Sequence, residues 1–164
     1  MRNITRTLVA FAFVALTAGT AAAGGQAGSL GVGAEFDLGG VGGVSLNYDG
    51  GIFHAGGAVG YADAPGDENT LINIAGRFYY HLHSTASSDF GVGGGLGLQF
   101  ANPPGPDNDT TAMFIQIGMQ IRAFISTNVA LSASGGLVVG AADAEGLALT
   151  GETFGSFGIH YYFF

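Results

Sequence analysis

The chain has 164 residues, which is enough for one domain of ordinary size and short for two. Charged residues make up only 10% of it, and it contains 31 Gly but no Lys, Cys or Trp. With so few basic residues it lacks the means to neutralise nucleic-acid phosphates, so a nucleic-acid partner is not expected. Without Cys, a disulfide scaffold and a cysteine-ligated metal site are both excluded.

The first 23 residues have the layout of a secretory signal peptide. Two Arg precede an apolar run at residues 8–18, and the three Ala at residues 21–23 offer a cleavage site. The apolar run is too short to cross a membrane comfortably, although an uncleaved anchor helix is the competing interpretation. We predict Sec-dependent export and cleavage after Ala23, which leaves residues 24–164 as the mature domain. This domain contains two Arg and 12 acidic residues, which gives it a formal net charge of −10.

The mature chain is dominated by apolar residues that alternate with small or polar ones. In its first segment Leu30, Val32 and Phe36 alternate with Gly31 and Glu35. A period of two indicates β-strands rather than helices. Eight such segments are predicted, at residues 29–38, 44–48, 52–61, 71–83, 90–100, 112–125, 129–139 and 153–164.

The composition of the two strand faces indicates which of them meets water. One face is mostly Gly, Ser, Asn, Gln and His, which is a poor coat for water but a good packed interior. The other face is dense in Ile, Leu, Val, Phe and Met and suits hydrocarbon. This arrangement is typical of membrane barrels, and closure removes the strand edges that lipid cannot satisfy. We therefore predict an all-β fold, an eight-stranded antiparallel up-and-down transmembrane β-barrel.

The connections between the strands differ in length at the two ends of the predicted barrel. The shorter connections are expected to face the periplasm and the longer, acidic ones to face outward. The first outward loop, at residues 39–43, is an exception because it is short. Short turns are predicted at residues 49–51, 84–89 and 126–128, and longer loops at residues 62–70, 101–111 and 140–152.

The end of the chain resembles the C-terminal assembly signal of bacterial outer-membrane proteins. A polar residue is followed by Gly and then by aromatics, and the matching positions are Ser156, Gly158, Tyr161, Phe163 and Phe164. With the signal peptide and eight strands, the mature chain resembles the small eight-stranded OmpA/OmpX-like barrels. The resemblance implies insertion into the outer membrane of a Gram-negative-type bacterium by the barrel assembly machinery. A girdle of interfacial aromatics is the alternative explanation.

Charged residues predicted to point into the lumen should form ion pairs, because an unpaired buried charge costs several kcal/mol. We expect Arg77 to pair with Glu35, in a network that includes Asp37 and Arg122. A structural role is favoured, and the alternative is a gate whose opening breaks the pair. The polar residues expected to bridge the remaining space are Gln99, Gln116 and Gln120.

The four histidines are also predicted to point into the lumen, near its periplasmic end. They are His54, His81, His83 and His160. The His81-x-His83 spacing is one that a metal ion can bridge, but lumen filling is the favoured interpretation and no cofactor is predicted. A register shift of one residue would move any of them to the outer face.

Alternate glycines at positions 91, 93, 95 and 97 remove the side chains from one predicted wall. We interpret them as room for large residues such as Arg122 or Tyr79, with a small-ligand cavity as the alternative. Asp107-Asn108-Asp109 lacks the Gly and the distal Glu of a calcium loop and is interpreted as solvated acidic loop.

These observations favour a non-enzymatic outer-membrane barrel with a structural or surface-interaction role. A narrow gated channel or small-ligand carrier is the alternative. A lipid-modifying enzyme is less favoured, since it requires a nucleophile and a base, and His83-Ser84 is the only adjacent pair. Outer-membrane lipid and the assembly machinery are the expected partners, and the sequence identifies no surface partner.

Overall fold

The computed structural model describes residues 26–37, 42–63, 70–102, 109–143 and 148–163. The predicted signal peptide, the Asp107-Asn108 part of the acidic motif and Phe164 lie outside these ranges. In the part of the chain that is described, no helix has the length and hydrophobicity needed to cross a membrane.

Eight antiparallel strands form a closed barrel in which each strand pairs with its neighbours in sequence and β1 pairs with β8. The predicted eight-stranded antiparallel barrel is therefore confirmed. The strands are β1 (Leu30–Asp37), β2 (Gly43–Asp49), β3 (Phe53–Asp63), β4 (Thr70–Ser84), β5 (Ser88–Asn102), β6 (Thr110–Phe124), β7 (Val129–Asp143) and β8 (Ala148–Phe163).

The period-two pattern separates the outer wall of the barrel from its lumen. On β6, Ile115, Ile117 and Met119 are exposed on the outer wall, whereas Gln120 and Arg122 are buried in the lumen. The same alternation of exposed and less exposed residues runs along most of the other strands. The molecule is thus inverted relative to a water-soluble barrel, with hydrocarbon side chains outside and hydrogen-bonding groups inside.

The end of the barrel at which β1 begins and β8 ends has short turns, and we call it the turn end. Gly51 adopts a φ of 84° there, which a residue without a Cβ reaches at no steric cost. The carboxylate of Asp49 accepts a 2.8 Å hydrogen bond from the Gly51 amide. Asp49 was predicted to belong to this turn, but it is the last residue of β2 and its side chain is buried.

The opposite end, which we call the loop end, is uneven because the strands differ in length. β1 and β2 contain 8 and 7 residues, whereas β4 to β7 contain 15 each and β8 contains 16. The loop predicted at residues 140–152 was too long, since β7 continues to Asp143 and β8 begins at Ala148. Small residues there weaken the hydrophobic alternation, but their backbones still pair in the ladder.

Candidate functional site

A buried charge cluster fills the turn end of the lumen. Nη2 of Arg122 lies 2.5 Å from Oδ2 of Asp49 and 2.6 Å from Oδ2 of Asp89, and its Nε lies 3.0 Å from the same Asp89 oxygen. Its Nη1 donates a 3.0 Å hydrogen bond to the hydroxyl of Tyr162. The guanidinium also lies 5.0 Å from the Phe124 ring centroid, within cation–π range. We call Arg122, Asp49, Asp89 and Tyr162 the turn-end cluster.

The turn-end cluster corrects the predicted partners of Arg122. The sequence suggested a network with Asp37, but Asp37 is exposed at the loop-end tip of β1. Asp49 and Asp89 were missed because both fell within predicted turns, where an acidic residue is ordinarily solvated. Asp49 instead ends β2 and Asp89 is the second residue of β5, with both side chains in the lumen, where the Arg122 cation offsets the cost of burying their charges.

A second ion pair lies midway along the lumen. Arg77 of β4 pairs with Glu35 of β1, as the sequence suggested, and its Nη1 donates a 3.2 Å hydrogen bond to Ser156. His160 lies on the other side of Glu35, with its Nε2 3.5 Å from Oε1. The same nitrogen is 2.6 Å from the hydroxyl of Ser45. These contacts tie strands β1, β2, β4 and β8 together across the interior, so we call them the mid-lumen cluster.

Arg77→Ala should destabilise the barrel more than neutralising an exposed acid does. The change leaves Glu35, which is 7% exposed, without its cation, and such losses cost about 3–5 kcal/mol. Asp63→Asn at the loop end is the matched control, since Asp63 is exposed. Urea midpoints followed by gel mobility measure the difference, and equal midpoints would contradict a role for the pair in stability.

Three of the four histidines lie in the lumen, and they form two separate groups. Nδ1 of His54 is 2.8 Å from Nε2 of His81, and Nδ1 of His81 is 2.9 Å from the carbonyl oxygen of Gly51. Because that carbonyl can only accept, His81 donates from Nδ1. His160 belongs to the mid-lumen cluster instead. His54 and His81 therefore form a hydrogen-bonded pair beside Asp49, which is the cross-strand neighbour of His54.

The predicted inward position of His83 was wrong. The β4–β5 pairing shifts by one residue between His81, opposite Gly91, and His83, opposite Phe90. This β-bulge at Leu82 turns the side chain of His83 away from the lumen, and His83 is exposed. His81 and His83 therefore cannot share a metal ion. In the ranges that the structure covers, no three His, Asp or Glu side chains converge on a possible metal site.

The glycine-lined wall accommodates large side chains from the neighbouring strand. A Cβ at Gly95 would come within 2.9 Å of Cγ of Arg77, and Gly93 pairs directly with Tyr79. At Gly97 the nearest side chains are more distant, with Phe114 3.9 Å from the position of a Cβ. Arg77 and Tyr79 thus occupy much of the space that these glycines leave, whereas Arg122 lies further toward the turn end.

The glutamines lie on the lumen face but do not bridge the charge clusters as predicted. Gln120 is buried, whereas Gln99 and Gln116 keep part of their surface accessible. Among the described contacts, no hydrogen bond joins any of the three to Arg77 or Arg122. The charged groups find their partners in Ser, Tyr and carboxylate side chains instead.

The lumen is more tightly filled at the turn end than toward the loop end. The side chains of both clusters are buried except that of Arg77, which is 9% exposed, and Tyr162 and Asp49 are at 0% exposure. Further toward the loop end, Asn73, Gln99 and Val138 keep part of their surface accessible. In the described part of the interior, charged and aromatic side chains therefore fill the turn-end half, and the loop-end half is less densely packed.

The residues of the predicted assembly signal divide between the two faces of β8. Ser156 and Gly158 face the mid-lumen cluster, where Ser156 hydrogen-bonds Arg77 and Ser134. Tyr161 and Phe163 are exposed on the outer wall, with ring centroids 5.0 Å apart in an edge-on arrangement.

Comparison with known proteins supports the fold class. No family model matches the sequence, and no curated protein matches it. Among solved structures, the barrel is similar to the N-terminal β-barrel domain of Pseudomonas aeruginosa OprF. The match covers 84% of this chain and 98% of that one, with a TM-score of 0.58 and 18% sequence identity. The expected likeness to small eight-stranded outer-membrane barrels is thereby confirmed at the level of the fold.

Proposed function

We propose that the chain is an integral outer-membrane β-barrel protein with a structural or surface-interaction role and a lumen that is closed at rest. The observation that carries this proposal is the inverted distribution of side chains. Leu46, Ile117 and Leu137 are 57%, 68% and 65% exposed on the outer wall, while the side chains of two Arg and three carboxylates in the lumen are at most 9% exposed. Lipid around the barrel makes such an outer wall favourable, whereas water around it would not.

The dimensions of the short side of the barrel support the same placement. Eight residues of β1 rise about 20 Å along the axis at a typical tilt, close to the apolar band of outer-membrane barrels. Tyr48, Tyr80 and Tyr161 are exposed near the turn end, where interfacial aromatics are expected. The OprF domain offers a structural precedent for the fold, and the predicted signal peptide supports export.

A narrow gated channel is the second candidate. Two observations favour it. The Arg77–Glu35 pair lies midway along the lumen, and the lumen-facing residues between this pair and the loop end keep part of their surface accessible. Against an open resting state, the turn-end cluster is packed around side chains with almost no exposure. The lipid-modifying alternative has less support, because His83 and Ser84 are exposed beyond the bulge and no hydrogen bond between them is among the described contacts.

One experiment tests membrane insertion and conductance together. Residues 24–164 are refolded into lipid vesicles, checked for heat-modifiable gel mobility, and then recorded in planar bilayers. We expect a compact band that shifts on boiling and no discrete conductance. Failure to form a heat-modifiable species in lipid, under conditions where the OprF barrel domain forms one, would contradict the membrane proposal. Discrete currents that change with Glu35→Gln would instead support the channel.

A further inference from the structure

Among the residues that the structure describes, the unequal strand lengths leave a gap in the loop-end rim of the barrel. β1 ends at Asp37 and β2 begins at Gly43, whereas β3 continues to Asp63 and β8 begins at Ala148. In the part of the chain that the structure describes, residues 148–155 of β8 pair with β7 but not with β1. Residues 61–63 of β3 likewise pair with β4 but not with β2. We call this gap the rim notch.

The β1–β2 hairpin is too short to cover the edge of β8. Asp37 pairs with Ser156, and Glu35 pairs with both Gly43 and Gly158, so residue 39 is the midpoint of the hairpin. If the β1–β8 register continued beyond Asp37, position 39 would face residue 154. Even a hairpin that was paired to its tip would therefore leave residues 148–153 of β8 without a β1 neighbour.

The rim notch has the width of a pair of strands. β8 and β3 flank β1 and β2, which are too short to reach this level of the barrel. The facing edges of β8 and β3 are therefore three strand spacings apart, or about 14 Å. Each edge presents backbone N–H and C=O groups whose hydrogen-bonding partners would ordinarily be another strand. An extended polypeptide can satisfy such groups by strand addition, a recognised mode of peptide binding.

Charge indicates which kind of polypeptide would fit. Asp37 stands at the described end of β1, at the base of the notch, and Asp63 stands at the end of β3, on one flank; both are exposed. The chain has no Lys, and its two Arg beyond residue 23 are both placed in the lumen. The acidic rim therefore attracts cationic segments and repels acidic ones.

We propose that the rim notch binds a basic, extended segment of a partner protein by adding it to the free edge of β8. The backbone of residues 148–153 provides the hydrogen bonds, and the acidic strand tips select for Lys and Arg in the added segment. The interaction requires the notch to lie outside the hydrocarbon, and in that respect it rests on the membrane placement proposed above. It gives the surface-interaction role a location and a partner chemistry.

The test uses a peptide whose backbone hydrogen bonding can be removed without changing its charge. A fluorescent ten-residue peptide of alternating Lys and Thr is titrated onto the refolded mature protein in detergent micelles. We expect saturable binding, with protection of residues 148–153 from hydrogen exchange. The same peptide with alternate amides N-methylated should bind about tenfold more weakly or worse, because several backbone hydrogen bonds are lost. Equal binding of the two peptides would overturn strand addition.

A second variant tests the location. Adding four strand-forming residues to each arm of the β1–β2 hairpin should fill the notch, restore pairing along β8 and reduce binding by a similar factor. Unchanged affinity in that variant would overturn the assignment to the notch, as would protection confined to other strands. Heat-modifiable mobility of the same samples reports barrel formation separately, so a failed membrane proposal is distinguishable from failed peptide binding.

Discussion

Arg122→Met should lower the free energy of unfolding by about 3–5 kcal/mol, which would make it one of the most damaging single substitutions in the lumen. Methionine retains much of the length of the side chain but removes the cation that Asp49 and Asp89 share. Both carboxylates would then be buried together without a positive partner. Because the chain has no Trp, unfolding in urea is best followed by heat-modifiable gel mobility rather than by tryptophan fluorescence.

The control for this prediction removes the stranded charges as well. Asp49→Asn and Asp89→Asn, combined with Arg122→Met, should recover a large part of the loss, since replacing a whole buried ion network is far less costly than breaking it. An Arg122→Met barrel that unfolds at the wild-type urea concentration would contradict the role given to the turn-end cluster. A triple variant no more stable than the single one would show that packing of Arg122, not charge, is what matters.

Deleting Phe163 and Phe164 should abolish assembly of the barrel in the outer membrane. Phe163 is exposed on the outer wall and pairs with Leu30, where the last strand meets the first. Its removal takes away an aromatic position of the predicted assembly signal. The measurement is the yield of heat-modifiable protein in the membrane fraction, with Tyr61→Ala, which removes another exposed aromatic, as the matched control.

Refolding in detergent separates the two explanations for such a loss. If the deleted chain refolds in micelles but fails to assemble in cells, the residues act as a recognition signal. If it fails in both settings, they are needed to close the seam between β1 and β8. Normal membrane yield after the deletion would contradict both the signal and the seam explanations.

The fold was predictable because one physical signal runs through most of residues 29–164. Period-two alternation defines strands, and its inverted polarity distinguishes a membrane barrel from a soluble one. The Arg77–Glu35 pair followed from the same alternation, since two opposite charges on inward positions need each other. The loop boundaries were less predictable, because the small residues near the ends of β7 and β8 carry little hydrophobic signal although their backbones pair.

The turn end was where inference from the sequence failed, and the reasons are local. Asp49 and Asp89 lie beside turns, so only the barrel geometry shows that their carboxylates converge on Arg122. His83 was misplaced because a β-bulge adds one residue without any Gly or Pro to indicate it. Each of these positions depends on how one strand pairs or packs with another, and alternation within a single strand does not reveal that.

The seam between β1 and β8 also has a consequence for the order of folding. Every other strand pair is a hairpin between consecutive segments, whereas Leu30 and Phe163 meet only after the rest of the chain is in place. Loop closure over so long a separation carries the largest entropic cost, so the seam should form last. Until then, the first and last strands are free edges of a curved open sheet. The mid-lumen cluster joins Glu35 on one side of the seam to His160 on the other, and it would then stabilise the closed barrel against opening at the seam.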